Sequence, residues 1–329
     1  MKQRRLGKNG PLVGEVGFGA MSIAGAFGPA DDETGHKTLA KALDLGITHV
    51  DTALIYGPHR SEEIIGAFLR NNPAAKRRFV IATKGGFRIN PRGISNEAGF
   101  LRECLEGSLR RLGVEHVPLY YIHRREQALP IEDVMETLVR FKEEGKIGGI
   151  GFSEISPASL ERAAKVHPVM AVQSEYSLWS RLPELGLIQA TKRLGAALVA
   201  FSPVARGVLS DVEIDAASLP DRDFRSTMPR FQAGAYQRNA EKAAAFKAFA
   251  KSRGWPTVAL ANAWVLSKGE HIIPIPGTRT PEHLAENAAA SAITLTAEDL
   301  ATIDELLPPG WAEGNRYSDE QQKSSELYC

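Results

Sequence analysis

The sequence predicts a single (β/α)8 TIM barrel, and three observations along the chain support this fold class. Eight short apolar runs, typical of strands buried on both faces, alternate with longer amphipathic stretches of helical period. Capping residues stand at the ends of those stretches, and no shift in composition or linker-like tract divides the 329 residues. We therefore expect one barrel domain over 1–329, with 308–329 as a C-terminal tail.

The predicted helices begin and end at residues with capping chemistry. Ser61, Ser156 and Thr280 precede an acidic residue or a proline, as N-caps commonly do. Gly46 and Gly195 stand where a helix can end in a left-handed residue. The predicted strands are Glu15–Ala20, Ile47–Asp51, Phe79–Thr83, Val117–His123, Ile147–Ser153, Met170–Gln173, Ala197–Phe201 and His271–Ile275, and the predicted helices span 33–45, 61–71, 97–112, 131–144, 157–166, 183–194, 239–267 (interrupted by Gly254 and Pro256) and 280–290.

Two further features indicate the ends of the barrel. The first 14 residues contain a Gly-rich turn between short runs, which predicts a hairpin that closes the barrel bottom. The stretches 21–32, 85–96 and 203–238 are longer than ordinary connections, and each follows a strand. In a barrel they lie on the C-terminal face, where active sites are built, so we expect them to shape a pocket there together with the tail.

A doubly wound sheet is the alternative α/β fold, and it predicts a G-x-G-x-x-G fingerprint after the first strand. GFGAMS at 17–22 has Ser22 where the third glycine belongs, and GIGFSE at 149–154 fails at the same place. Neither segment supports a Rossmann domain.

The composition argues against several classes of partner. Forty Lys+Arg against 39 Asp+Glu leave a formal charge of +1, which argues against nucleic acid as a partner. No apolar run approaches the length of a membrane span, and no apolar segment of a signal peptide follows the basic opening residues. Two cysteines cannot form a disulfide framework, so we expect a protein of the reducing cytoplasm that works without nucleic acid or membrane.

Four polar residues fall at or near the ends of consecutive predicted strands. Asp51 ends the second strand, and Tyr56 lies in the loop after it. Lys84 directly follows the third strand, and His123 ends the fourth. Because the strand ends of a barrel meet at one face, these side chains can converge. Each residue alone has an ordinary structural interpretation, but burying a lysine and an aspartate is costly unless the two pair.

Such a set of side chains has a chemical use. A tyrosine phenol, with an unperturbed pKa of about 10, gives up its proton reluctantly at neutral pH. We expect the Lys84 ammonium to stabilise the phenolate of Tyr56 and so lower its pKa, with Asp51 holding the lysine charged. His123 would be a neutral donor that orients a substrate oxygen. The four residues therefore suit the protonation of an oxygen on which negative charge develops, as carbonyl reduction requires.

These residues lie in segments that resemble those of the aldo-keto reductases, which are NADPH-dependent (β/α)8 barrel enzymes. The resemblance covers nearly the whole chain and rests on VDTALIYGPHRSEEIIG, IATKGGF and LYYIHR in the family's order. It implies that Tyr56 is the general acid and that Lys84 lowers its pKa. It also implies that Asp51 pairs with the lysine and that His123 positions the carbonyl. Ser-Glu at 153–154, in place of Ser-Asn, is similar to a subset that includes plant-like reductases and potassium-channel β subunits.

The same resemblance implies a binding site for NADPH/NADP+ along the second half of the chain. Ser153 and Gln173 would hold the nicotinamide amide, Phe201 would stack on the ring, and FSPVARGVLS would line the pyrophosphate. The segment IPIPGTRTPEHLAEN would bind the adenosine, with Arg279 on its 2′-phosphate at a helix start. The expected cofactor contacts are Ala20, Met21, Ser153, Gln173, Phe201, Ser202, Pro203, Val204, Arg206, Gly207, Leu209, Gly277, Thr278, Arg279, His283, Glu286 and Asn287, and no metal is expected.

The function expected from these residues is NADPH-dependent reduction of an aldehyde or ketone to an alcohol, with a small carbonyl compound as the substrate. One alternative is an NADPH-binding redox sensor or partner-docking module with slow turnover, like the β subunits. Another is a barrel lyase or aldolase that uses Lys84 to form a Schiff base. Phe27, Phe87, Tyr176 and Trp179 are candidates either for the pocket wall or for the core.

Overall fold

The computed structural model describes residues 1–328. Eight strands run parallel in one sheet, and two short antiparallel hairpins stand outside it. The strands are β1 (Gln3–Arg5), β2 (Leu12–Gly14), β3 (Phe18–Gly19), β4 (His49–Asp51), β5 (Val80–Gly85), β6 (Phe87–Arg88), β7 (Gly93–Ile94), β8 (Val117–Ile122), β9 (Ile147–Ser153), β10 (Ala171–Glu175), β11 (Ala197–Phe201) and β12 (Ile272–Pro274).

Helices connect the successive parallel strands, and neighbours along the chain pack against one another. Within residues 1–328, none of them combines the length and the apolar character that crossing a membrane would require. The helices are α1 (Asp32–Leu45), α2 (Arg60–Asn71), α3 (Pro73–Arg78), α4 (Ala98–Leu112), α5 (Ile131–Glu143), α6 (Pro157–Val166), α7 (Leu187–Leu194), α8 (Ala235–Ser252), α9 (Thr257–Ser267), α10 (Pro281–Ala288), α11 (Ala297–Leu306) and α12 (Asp319–Gln322).

The eight parallel strands form a barrel in the order β3-β4-β5-β8-β9-β10-β11-β12. The ring closes between the first and last strands, where the Gly17 amide donates to the Pro274 carbonyl oxygen (2.9 Å) and the Gly19 amide to the Pro276 oxygen (3.1 Å). This arrangement confirms the predicted (β/α)8 barrel. Because all eight strands run in one direction, their carboxyl ends share one mouth.

Two apolar cores hold the barrel together. The larger lies between the sheet and the helices and includes the buried side chains of Phe141 and Trp264. The smaller fills the inside of the barrel with residues such as Leu119, Val199 and Ile273. Burial on both faces explains why the strands appear in the sequence as nearly continuous apolar runs.

The predicted element boundaries agree closely with the structure, and β9, β11 and α6 match to the residue. Two local predictions were wrong. Helix α2 begins at Arg60, so Ser61 lies inside the helix and donates its hydroxyl to a strand-end carbonyl oxygen instead of capping it. The predicted helix 183–194 is a short 3-10 turn followed by α7, because Gly186 adopts a φ of 123° between them. Helices α3, α11 and α12 have no counterpart among the predicted helices.

The N-terminal hairpin closes the amino end of the barrel, as predicted. Strands β1 and β2 pair antiparallel, and the fully buried Leu6 between them belongs to the inner core. The Lys8 amide donates to the Gly195 carbonyl oxygen (2.7 Å), and the Arg4 guanidinium donates to the Ile272 oxygen (2.8 Å). These bonds fix the hairpin to the starts of β11 and β12, so the opposite end of the barrel is its open mouth.

The tail after α11 packs against the loops of that open mouth. The Trp311 indole N–H donates to the Leu178 carbonyl oxygen (2.8 Å), and the Tyr328 hydroxyl lies 3.5 Å from the Ser174 hydroxyl at the end of β10. Over residues 308–328 the one helix is α12, so the tail is mostly irregular, as its lack of helical period predicts.

We expect Leu6→Ala to lower the free energy of unfolding by about 2–5 kcal/mol, because it leaves a cavity in the inner core. Leu12→Ala in the same hairpin is the control. Since Leu12 is 50% exposed, its replacement should change stability by no more than about 0.5 kcal/mol. Urea unfolding followed by tryptophan fluorescence measures both variants, and equal losses would contradict the closing role of the hairpin.

Candidate active site

The four polar residues at the strand ends meet at the open mouth. Asp51 is the last residue of β4, Lys84 lies near the end of β5, and His123 directly follows β8. Tyr56 enters from the loop after β4, which folds over β5 because the Leu54 amide donates to the Lys84 carbonyl oxygen (3.3 Å). The Tyr56 hydroxyl oxygen lies 3.3 Å from Lys84 Nζ, and the ring centroids of Tyr56 and His123 are 5.8 Å apart. The structure thus brings all four side chains together.

Lys84 is fully buried, and its ammonium group has three oxygen partners. Its Nζ donates to Asp51 Oδ1 (2.5 Å), to the Thr52 carbonyl oxygen (2.8 Å) and to the Tyr56 hydroxyl (3.3 Å). Burial by itself would lower the pKa of Lys84, but Asp51 and Tyr56 outweigh burial and raise that pKa above its usual value. The amine is therefore a fixed cation, which disfavours the Schiff-base alternative because that chemistry needs a neutral amine.

The pKa of Tyr56 shifts in the direction opposite to the one that the sequence predicts. Burial raises the pKa of the phenol, and the Lys84 ammonium lowers it by a smaller amount. Lys84 thus lowers the pKa as predicted, but the expected net lowering was wrong, because the cost of desolvating the phenolate exceeds the attraction of the lysine. The phenol stays protonated at neutral pH, which is the form that a proton donor must have.

His123 is a neutral imidazole with aromatic neighbours. The rings of Tyr56 and Phe87 meet it edge-on, with centroids 5.8 and 5.0 Å away. Burial, together with the charges of Arg124 and Lys84, holds the pKa of His123 well below its usual range. Its buried Nδ1 has no hydrogen-bond partner in residues 1–328, which is unusual for a buried polar atom. The ring can therefore donate a hydrogen bond as a neutral group.

A cavity of about 810 Å³ opens at this mouth, and Asp51, Tyr56 and His123 lie in its wall. Two of the aromatic candidates, Phe27 and Phe87, also line it, whereas Tyr176 and Trp179 are buried core side chains. Of the residues that the sequence predicts as cofactor contacts, the following line the cavity: Met21, Ser153, Gln173, Phe201, Ser202, Val204, Arg206, Gly207, Gly277, Thr278, Arg279, His283, Glu286 and Asn287.

Three predicted cofactor contacts lie outside the cavity wall. Ala20 and Leu209 are fully buried in the core between the sheet and the helices, and Pro203 is buried in the turn after β11. Sequence neighbours such as Met21, Ser202 and Val204 do line the cavity. Which side chains face the cavity depends on the turn geometry after each strand, which the sequence alone does not specify.

Two of the predicted nicotinamide contacts already have partners within the protein. Gln173 Nε2 donates to Asp51 Oδ2 (2.7 Å), and Ser153 Oγ accepts a hydrogen bond from Arg124 Nη1 (3.1 Å). Together with the bond from Lys84 to Oδ1, the glutamine fixes both oxygens of the Asp51 carboxylate. Gln173 therefore belongs to the same hydrogen-bonded network as Asp51, Lys84 and Tyr56.

The turn after β11 has a strained backbone and carries Arg206 inward. Ser202, Ala205 and Arg206 have φ angles of 52°, 52° and 55°, a left-handed region that non-glycine residues seldom adopt. The Arg206 guanidinium is buried and donates to Glu175 Oε2 (2.8 Å). The charge of Arg206 is thus paired within the protein.

The segment after β12 combines an arginine with a helix start. Thr280 caps α10 by accepting a hydrogen bond from the His283 amide. Arg279 is partly exposed in the cavity wall, and its Nη1 donates to the Pro29 carbonyl oxygen (2.8 Å) in the first long loop. The start of a helix favours the binding of an anion, and the Arg279 guanidinium adds a positive charge with several N–H donors.

The main feature that sequence reasoning missed is a buried carboxylate that holds the tail. Glu154 forms an ion pair with Arg316, and its other oxygen accepts from the Ser174 hydroxyl (3.1 Å) and the Glu175 amide (2.9 Å). Burial would raise the pKa of Glu154, but Arg316 outweighs burial and lowers that pKa to about 2. The departure from Ser-Asn at 153–154 was the available signal, since a carboxylate at a buried strand end requires a cation.

The tail, which the ion pair between Glu154 and Arg316 holds in place, forms part of the cavity wall. Tyr317, Gln321 and Ser324 line the cavity, and the Tyr317 hydroxyl accepts a hydrogen bond from Arg124 Nη2 (3.3 Å). The ion pair between Glu154 and the tail therefore also positions a side of the pocket.

The fold and the site together define a class of enzyme, a (β/α)8-barrel oxidoreductase with a tyrosine, a lysine, an aspartate and a histidine at its open mouth. The family model described as Aldo/keto reductase family matches residues 15–308, which is most of the chain. The chain therefore belongs to the aldo/keto reductase family, as its motifs predict.

Relatives of known name agree with this assignment. A Glycine max protein named Probable aldo-keto reductase 1 is 37% identical over 319 residues, covering 95% of this chain and 91% of the relative. The aldo-keto reductase yakc of Schizosaccharomyces pombe, whose name specifies NADP(+), is 35% identical over 321 residues, covering 95% of this chain and 94% of its own length. The solved structure of a glycerol dehydrogenase from Gluconobacter oxydans is 28% identical, with a TM-score of 0.84 over 96% of this chain and 98% of that one.

We expect Glu154→Gln to destabilise the protein at neutral pH and to do so less at low pH. The pKa of Glu154 is lower in the folded protein than in the unfolded chain, so its contribution to stability is present above about pH 4.5 and is lost as the pH falls toward about 2. Lowering the pKa from 4.5 to about 2 corresponds to roughly 3 kcal/mol at pH 7.

Urea unfolding at pH 7 and pH 3 measures this difference. Glu161→Gln is the control, because the ion pair of Glu161 with Arg193 is exposed and should contribute about 0–1 kcal/mol. A Glu154→Gln protein as stable as the parent at pH 7 would show that the tail does not depend on this carboxylate.

Proposed function

We propose that this protein reduces an aldehyde or ketone to an alcohol with NADPH, and that Tyr56 is the general acid. The observation that carries the proposal is the hydrogen bond from the buried Lys84–Asp51 pair to the Tyr56 hydroxyl at the wall of a large cavity. Membership of the family supports the class of reaction. The NADP(+) in the name of the yeast relative supports the cofactor.

The residues of the cavity fit a nicotinamide dinucleotide. About 810 Å³ is more space than a small carbonyl compound alone would need. Phe201 offers a ring at the end of β11, and Gly277 and Thr278 line the wall before the start of α10. Arg279 would bind the 2′-phosphate that distinguishes NADPH from NADH, since its fork suits a phosphate. When bound, NADPH supplies the hydride for the carbonyl carbon.

Tyr56 would supply the proton. Its raised pKa keeps the phenol protonated until negative charge develops on the substrate oxygen, when transfer becomes favourable. Lys84, 3.3 Å away, would then stabilise the phenolate, and Asp51 keeps the lysine in place throughout. The neutral His123 would donate a hydrogen bond to the same oxygen and so hold it near the tyrosine.

We expect Tyr56→Phe to lower kcat by at least about 100-fold, because the general acid is lost, and to leave NADPH affinity nearly unchanged. Initial rates with a model aldehyde, followed by NADPH absorbance, and fluorescence titration with NADPH measure the two effects. Tyr121→Phe is the matched control, since its buried hydroxyl has no hydrogen-bond partner in residues 1–328. A Tyr56→Phe enzyme that works at the parental rate would remove Tyr56 from the mechanism.

We expect Arg279→Ala to raise the Kd for NADPH at least about 10-fold and the Kd for NADH much less, because only NADPH carries the 2′-phosphate. Fluorescence titration with each cofactor measures both constants. Arg222→Ala replaces an exposed arginine outside the cavity wall and should change neither. Equal weakening of both cofactors by Arg279→Ala would refute the 2′-phosphate contact.

A further inference from the structure

Arg124 is a buried arginine in the cavity wall that lacks a carboxylate partner. It follows His123 at the end of β8 and is 9% exposed. Its Nη1 donates to the His123 carbonyl oxygen (2.6 Å) and to Ser153 Oγ (3.1 Å), and its Nη2 donates to the Tyr317 hydroxyl (3.3 Å). Its Nε has no acceptor, and across residues 1–328 no carboxylate oxygen comes within 4.0 Å of the guanidinium nitrogens.

The other buried arginines of the described chain differ from Arg124 in this respect. Arg125, the next residue, pairs with Glu326, and Arg206 pairs with Glu175. An arginine keeps its charge at any physiological pH, and a buried charge is costly unless an anion balances it. The fold therefore supplies a counter-ion to Arg125 and to Arg206, which also lines the cavity, but not to Arg124 beside His123.

The acidic groups around Arg124 do not balance its charge. Glu154, whose pKa the charge of Arg124 helps to lower, and Glu175 beside it are already bound by Arg316 and Arg206. Burial lowers the pKa of Arg230 to about 10, which still leaves it charged at neutral pH in the neighbourhood of Glu175. Four arginines (Arg124, Arg206, Arg230 and Arg316) thus share two glutamates, an excess of two positive charges.

The cavity wall is also asymmetric in charge. The loops after β5 and β8 and the tail contribute two arginines, Arg92 and Arg124, and no acidic residue. The acidic residues of the wall come from elsewhere, from the end of β4, the segment 203–238 and α10. The side of the cavity next to His123 and Tyr56 is therefore positive.

We propose that Arg124 binds a carboxylate carried by the carbonyl substrate, so that the enzyme acts on oxo acids, that is, aldehydes or ketones that also bear a carboxylate. The inference rests on the proposed reductase function and names its substrate class. Three of the five guanidinium N–H groups have acceptors in the protein, and the Nε–H is buried without an acceptor. The remaining Nη2 N–H would therefore donate to the anion, and the unbalanced charge of the whole guanidinium would attract it. Because Arg124 adjoins His123, a carboxylate bound there would orient the carbonyl toward Tyr56.

The test compares 4-carboxybenzaldehyde with its neutral methyl ester, two substrates that differ in the charge far from the reacting carbon. We expect the parent enzyme to show a kcat/KM at least about 10-fold higher for the acid than for the ester. Arg124→Met should bring this ratio to about one, and Arg124→Lys should keep part of it. Arg125→Met is the matched control, because Arg125 pairs with Glu326 outside this cavity, and it should keep the parental ratio.

A parental ratio near one, or an Arg124→Met enzyme that loses activity equally on both substrates, would overturn the inference. If Arg124→Met does not fold, the parent enzyme still decides. Benzoate should then bind at least about 10-fold more tightly than benzamide in a fluorescence titration, and equal affinities would overturn the inference. A parent enzyme that reduces neither aldehyde would refute the reductase proposal, while the benzoate titration would still test Arg124.

Discussion

The burial of the Lys84 ammonium against the Asp51 carboxylate is the constraint on which the site depends. A lone buried charge of either sign would cost several kcal/mol, so neither residue is tolerable without the other. The two come from adjacent parallel strands in which Asp51 stands opposite Ala82. Since side chains alternate across a strand, a slip of one residue would turn Lys84 toward the helices. Lys84 and Asp51 can therefore meet at the mouth only in the observed register of the sheet.

A second buried network joins parts of the chain that are distant in sequence. Glu154 and Glu175, at the ends of neighbouring strands, bind Arg316 of the tail and Arg206 of the turn after β11. The Arg316 carbonyl oxygen also accepts a hydrogen bond from Arg206 Nη1 (3.1 Å). The turn after β11 and the tail thus share one set of charges, and a shift of either segment must affect the other.

Hydrophobic periodicity and capping residues were sufficient to predict the barrel. The polar residues at the strand ends were sufficient to predict the four side chains that meet at its mouth. The errors arose where opposing effects or distant contacts decide the outcome. The shift in the pKa of Tyr56 is a balance between burial and the charge of Lys84. Its direction depends on how deeply the phenol is buried, which the sequence does not specify. Arg206 turns inward because of a local backbone strain, and Glu154 meets a partner 162 residues away. Neither the backbone conformation at Arg206 nor the partner of Glu154 can be inferred from the residues adjacent in sequence.

The two chain ends stand in contrasting relation to the pocket. The amino end belongs to the hairpin at the closed bottom, whereas Tyr328 lies beside Ser174, close to the residues that shape the mouth. Cleavage of the chain directly after α12 would therefore remove Ser324 from the wall of the pocket. Cleavage before β1 would act at the closed end of the barrel and leave that wall intact.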